Sequence, residues 1–208
     1  MRVWALGLLL LAGPAAGQGV KGPATADAVA GGLPADLAGW RRGAVTDFTQ
    51  RPGGAGLGAA VEYRPAPGGP GIATVYLYDR GRTDLRDGAA SPEVEAELRG
   101  AVGEVEAVAP LRRYRVAERG TPVDLRGAGG REGLRCQPLV LAFEGGTLAD
   151  STVCLGVVAG RFVKLRMTLP AAAEDFSAKA VAAFGQAVLA ELQPPAPPPP
   201  AAPSRRRG

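Results

Sequence analysis

Hydrophobic and polar positions alternate along several short stretches of this chain and recur at helical spacing in two others. Val45-Thr46-Asp47-Phe48-Thr49 and Ala59-Ala60-Val61-Glu62-Tyr63-Arg64 have the period of two expected of half-buried strands. Ile72 to Tyr78 is rich in β-branched and aromatic residues on both faces, which predicts a central strand ending at the Asp79-Arg80-Gly81 turn. Val94, Leu98, Val102, Val105 and Val108 recur at steps of three and four. Ser91 supplies an N-cap and Pro92 a first-turn proline, and Pro110 is expected to stop that helix.

A second group of strands follows: Tyr114 to Glu118, Leu134 to Phe143, Thr152 to Val158, and Phe162 to Leu169. In the last of these Val163, Leu165, Met167 and Leu169 share one face, and Lys164, Arg166 and Thr168 share the other. Pro170 introduces a second helix with a stripe of Phe176, Ala180, Phe184 and Val188, and Pro194 ends it. Trp40 is expected to anchor the chain where it enters the sheet. The element order predicts an α+β fold, a mostly antiparallel sheet of about six or seven strands with two helices packed on it.

The ends of the chain differ from this domain. Arg2, the apolar run Val3 to Ala12 and the small residues Gly13 to Gly17 have the plan of a secretory signal peptide, with cleavage expected after Gly17. The run is about half of the ~20 residues needed to span a bilayer. Residues 18–32 read as a flexible lead-in, 33–193 as one domain, and 194–208 as a polyproline II tail closed by Arg205, Arg206 and Arg207. Localisation is therefore expected to be periplasmic or secreted, with no transmembrane segment.

Charge adds little to the domain itself. The chain carries 24 basic and 20 acidic residues. Without Arg2 the net charge is +3, which the three tail arginines supply in full. The folded part is near neutral, which argues against a nucleic-acid partner. The tail is suited to weak contact with anionic surfaces. Abundant Ala, Gly, Pro and Arg point to a GC-rich, bacterial genome.

Cys136 and Cys154 form an even pair in a chain expected to meet an oxidising compartment, and are expected to be a structural disulfide. With Gly145-Gly146 as a two-residue hairpin loop, Cys136 falls opposite Leu155 and Cys154 opposite Gln137, so a slight bulge is needed to join them.

The segments Ala73 to Asp79 and Gly160 to Thr168, with the helix opening at Ser91-Pro92 between them, resemble those of small exported bacterial proteins of unknown function. The element order is similar to the Mog1/PsbP-like fold. That resemblance implies an antiparallel sheet with helices against it and supplies no catalytic residue. The cysteine pair departs from it.

Candidate chemistry is sparse. The sequence contains no histidine, which removes the usual general base and His-based metal sites. Ser177 and Lys179 lack Ser-x-x-Lys spacing, and Ser151 with Lys164 would need a fold-dependent meeting. The run Gly53 to Gly58 lacks the lysine and the strand-loop-helix setting of a phosphate loop and reads as a hairpin connection. Asp47, Glu62 and Asp79 match no calcium-loop or glycosidase pattern and read as solvated positions and turn caps. No catalytic, cofactor or metal residue is expected. Lys164 and Arg166 remain as a face for an anionic ligand or partner. The expectation is a non-catalytic module binding a protein or envelope component. Its rival is a small hydrolase or ligand carrier with an unrecognised site.

Overall fold

A computed structural model describes residues 25–66, 68–131, 133–171 and 176–193. The expected signal peptide, the start of the lead-in and the Pro-rich tail lie outside these residues, as does the side chain of Phe176. The chain forms α1 (Ala26–Gly32), β1 (Asp36–Leu37), β2 (Trp40–Asp47), β3 (Ala59–Pro65) and β4 (Ile72–Tyr78). There follow α2 (Pro92–Ala107), the single turn α3 (Ala109–Arg112), β5 (Tyr114–Arg119) and β6 (Val123–Leu125). A 3-10 turn at Ala128–Gly130 leads to β7 (Leu134–Phe143), β8 (Leu148–Val158), β9 (Arg161–Pro170) and α4 (Phe176–Leu192).

All nine described strands join one antiparallel sheet, ordered β1-β2-β3-β4-β9-β8-β7-β5, with β6 also on β7. The mixed α and β content and the antiparallel pairing agree with the sequence, but the expected six or seven strands and two helices become nine and four. The extra elements are short. A two-residue strand, a three-residue strand and a one-turn helix are too brief to show a period. α1 falls in the stretch read as a flexible lead-in, and its Ala-Gly composition gives no amphipathic stripe. Yet Ala30 is fully buried, so the packed domain starts at least as early as α1.

Strand alternation builds two cores, one on each face of the sheet. Ala59, Val61 and Tyr63 of β3, Val75 and Leu77 of β4, and Val163, Leu165 and Met167 of β9 point to the face covered by α1 and α4. Phe184 of α4 is the centre of that layer, with its ring 5.6 Å from Trp40 and 5.3 Å from Tyr63. The opposite face packs Leu139 and Leu141 of β7 and Val153, Leu155 and Val157 of β8 against Val94, Leu98, Val102 and Val105 of α2. Burying Phe184 and Leu189 contributes about 2 kcal/mol each by area transfer.

Local chemistry fixes the ends of these elements. Ser91 Oγ accepts from the Val94 amide at the start of α2. Pro110 does not stop the helix outright. It sits in the first turn of α3, and the chain then leaves through Arg113 in the left-handed region. At the β8–β9 hairpin, the Asp87 carboxylate accepts from the amides of Ala159 and Gly160, both at 3.0 Å. The β7–β8 turn is a three-residue loop, with the Phe143 amide donating to Thr147 O, and Gly145 and Gly146 at φ 94° and 86°.

That extra loop residue shifts the pairing by one from the register expected of a two-residue turn. Cys136 lies directly opposite Cys154, and the two are bonded with no bulge.

Candidate functional site

Helix coverage of the sheet is uneven, and this asymmetry creates the site. α1 and α4 together line one face, while α2 packs on β7 and β8, reaches Tyr78 at the end of β4, and leaves the other face open over β2, β3 and the start of β4. Strand alternation places polar side chains there. In register across the sheet, Glu62 of β3 neighbours Thr74 of β4, which neighbours Arg166 of β9. The result is an open groove of about 690 Å³, floored by these strands and walled by the end of α2, by α3 and by Tyr114.

Arg166 is half-buried at the middle of this groove. Among the described residues none gives its guanidinium a hydrogen bond or an ion pair. Thr74 and Thr168 flank it, Thr46 stands further along the floor, and Arg112 contributes a second cation from the wall. The one carboxylate on the floor, Glu62, accepts from Arg64 Nε at 2.8 Å. The groove therefore carries an excess of positive charge beside hydroxyl donors, an arrangement suited to an anionic group.

Lys164, the other cation expected on this face, is placed differently. Its Nζ donates to Glu104 Oε2 at 3.0 Å and lies 4.6 Å from the Tyr76 ring centroid. Only 12% of its side chain is exposed, so α2 covers it. The two cations share a face of β9 and differ in role. Lys164 ties helix to sheet, and Arg166 faces the groove.

The remaining candidates are scattered. Ser151 is fully buried and shares a hydrogen bond with Thr168 at 3.0 Å. It lies opposite Thr168, whereas Lys164 lies opposite Leu155, so Ser151 and Lys164 stand four positions apart along the strands. Ser177 Oγ donates to Asp150 Oδ2 at 2.7 Å, while Lys179 is exposed.

Asp47 accepts from the Thr49 hydroxyl and amide, which hold its carboxyl below the usual range. Asp79 accepts from the Gly81 amide at 2.7 Å. Each carboxylate of the Asp47, Glu62 and Asp79 set has its own local partner. Among the described residues no group of three or more His, Cys, Asp or Glu is placed to hold a metal ion.

The glycine run packs on its own protein. A Cβ on Gly58 would stand 1.8 Å from Leu77 O, and one on Gly56 would stand 2.3 Å from Gly81 N. These glycines exist for backbone contact with the end of β4.

Sequence reasoning missed a second cleft, about 560 Å³, on the other face between α4 and β6–β8. It is lined by Val123, Leu125, Cys136 and Val181, with Asp124 and Asp150 beside them. Asp124 is paired with Arg135 at 2.9 Å and Asp150 with Ser177, so those charges are already engaged. No periodic signal in the sequence announces it, because β6 is only three residues long.

No family model matches this chain, and no curated protein does. Among solved structures it is similar to a mutant of the protein Mog1, at 10% identity and a TM-score of 0.33, over 64% of this chain and 72% of that one. No residue or activity is carried over from it.

Proposed function

We propose that this protein is a non-catalytic binding module of the periplasm or the extracellular medium, and that its groove at Arg166 receives an anionic group of a partner protein or envelope component. The observation that supports this reading is Arg166, half-buried in the groove, whose guanidinium has no partner among the described residues and sits beside Thr74 and Thr168. An incoming carboxylate or phosphate would meet that guanidinium through charge-assisted hydrogen bonds.

Export is supported by the N-terminal pattern and by the Cys136–Cys154 bond, which is at home in an oxidising compartment. Among the described residues no helix is long and apolar enough to cross a membrane. The absence of histidine from the whole sequence argues against general-base chemistry at this groove.

Titrating isotope-labelled protein with acetate, followed by amide and Arg Nε–H signals, tests the reading. The expected result is saturable shifts at Arg166, Thr74 and Thr168 that weaken with added salt. Shifts spread evenly over surface arginines would contradict it.

A further inference from the structure

The corner where α3 meets the β7–β8 hairpin holds large apolar side chains out in water. The single turn α3 buries Ala109 and leaves Leu111 82% exposed, while Leu148 at the start of β8 is 47% exposed. The two segments touch, because the Glu144 amide donates to Arg113 O at 3.0 Å next to the Tyr114–Phe143 pair. Arg115 of β5, Ala142 of β7 and Leu148 of β8 lie side by side in register. Arg115 and Leu148 are therefore two strand steps apart, on the order of 10 Å.

The same corner is cationic. Arg112 and Arg113 follow Leu111 directly, and among the described residues neither they nor Arg115 has a side-chain hydrogen bond or ion pair. Arg113 and Arg115 line an open depression of about 560 Å³ between α3 and the hairpin, together with Leu148. Among the described residues its lining includes one carboxylate, Glu144. Exposed leucines and uncompensated guanidinium groups thus share one end of the molecule.

This combination separates the candidate partners. A small free anion would meet the arginines and leave both leucines in water. A folded protein would need a carboxylate fixed opposite each guanidinium and a surface shaped to two separated leucines. An anionic bilayer supplies mobile phosphates at one depth and acyl chains just beneath them, with no fixed pattern to match. Arginine suits that boundary, since its stem lies along apolar surface while its head stays at the phosphates.

We infer that this corner is a peripheral docking surface for an anionic phospholipid bilayer, with Leu111 and Leu148 entering between the headgroups and Arg112, Arg113 and Arg115 at their phosphates. The inference stands apart from the Arg166 reading. Arg115 and Leu148 point to the opposite face of the sheet from Arg166.

Co-sedimentation with vesicles tests it, using the chain from Gln18 onward, the expected exported form. Vesicles of equal parts phosphatidylglycerol and phosphatidylcholine should bind the protein, and added salt should weaken that binding. Vesicles of phosphatidylcholine alone should not bind it. Each corner arginine is worth about fivefold in affinity. Arg113→Gln with Arg115→Gln should therefore weaken binding at least tenfold, whereas Arg99→Gln in the middle of α2 and Arg166→Gln should each stay within about twofold. Leu111→Ser alters no charge and, at so exposed a site, spares the fold; it should weaken binding at least fivefold. Parent-like binding by Leu111→Ser would show that charge alone, such as that of Arg205 to Arg207, holds the vesicles, and would overturn the inference. Equal binding to neutral vesicles would overturn it too. So would failure to bind any vesicle, and a dimer in size-exclusion chromatography that Leu111→Ser dissolves would then mark the corner as a contact between copies of this chain.

Discussion

The Lys164 ammonium lies 3.0 Å from the Glu104 carboxylate, so of the two cations on the polar face of β9 only Arg166 is left facing the groove. The pair joins α2 to the centre of the sheet, with the lysine largely covered and the glutamate exposed. Removing the acid leaves a covered ammonium without its anion, at a cost of about 1–2 kcal/mol. Glu104→Gln should therefore lower unfolding stability by that amount, while Arg166→Gln, which breaks no ion pair, should stay within about 0.5 kcal/mol of the parent. Urea denaturation of the two variants measures both. Equal losses would show that Arg166 is structural.

The bond between Cys136 and Cys154 closes a loop across the β7–β8 hairpin, with a sequence separation of 18. The chain-entropy estimate for such a loop is about 3 kcal/mol. The double change Cys136→Ala with Cys154→Ala should cost about that much in a denaturation experiment without reductant. Alkylation of the unreduced, unfolded protein should modify no thiol.

Burial pushes the Tyr78 hydroxyl pKa well above its ordinary value of 10, with the nearby Glu97 carboxylate adding to the shift. Among the described residues its Oη is buried without a hydrogen-bond partner. Below pH 10 both the folded and the unfolded chain keep the proton. Above it the unfolded chain ionises first, so stability is lost as pH rises from about 10 toward the raised folded value. Tyr63, also raised mainly by burial, acts in the same direction. Tyr78→Phe should flatten the decline between pH 10 and 11 and leave stability at pH 7 unchanged or slightly higher. An unchanged alkaline slope would contradict the burial account.

Gly58 combines a left-handed backbone, φ +64°, with direct contact on β4. Gly58→Ala should destabilise the domain by about 2 kcal/mol or more, since strain of that kind costs ~1–3 kcal/mol before any clash. Gly53, equally left-handed but facing open space, should cost less on the same change. Melting temperatures of the two variants give the comparison.

Long, strongly patterned elements are legible in the amino-acid order alone. Ile72 to Tyr78 and Leu134 to Phe143 match β4 and β7 residue for residue, and the α2 stripe from Val94 to Val105 is the one that packs. The face of Arg166 also follows from alternation along β9. What alternation cannot supply is the neighbour across the gap. Whether Lys164 or Arg166 is covered depends on how far α2 reaches over the sheet, which is a tertiary fact. The cysteine register turns on one residue of loop length, and two adjacent glycines do not distinguish a two-residue turn from a three-residue one. The elements α1, β1 and β6 escape such reading because they are held by packing and pairing rather than by their own periodicity.

Charge exchange at Arg166 tests the central claim most directly. Arg166→Glu should abolish the saturable acetate shifts at Thr74 and Thr168 that the parent shows. Retained acetate shifts at Thr74 and Thr168 in Arg166→Glu, with circular dichroism confirming the fold, would mean that Arg166 does not recognise negative charge in this groove.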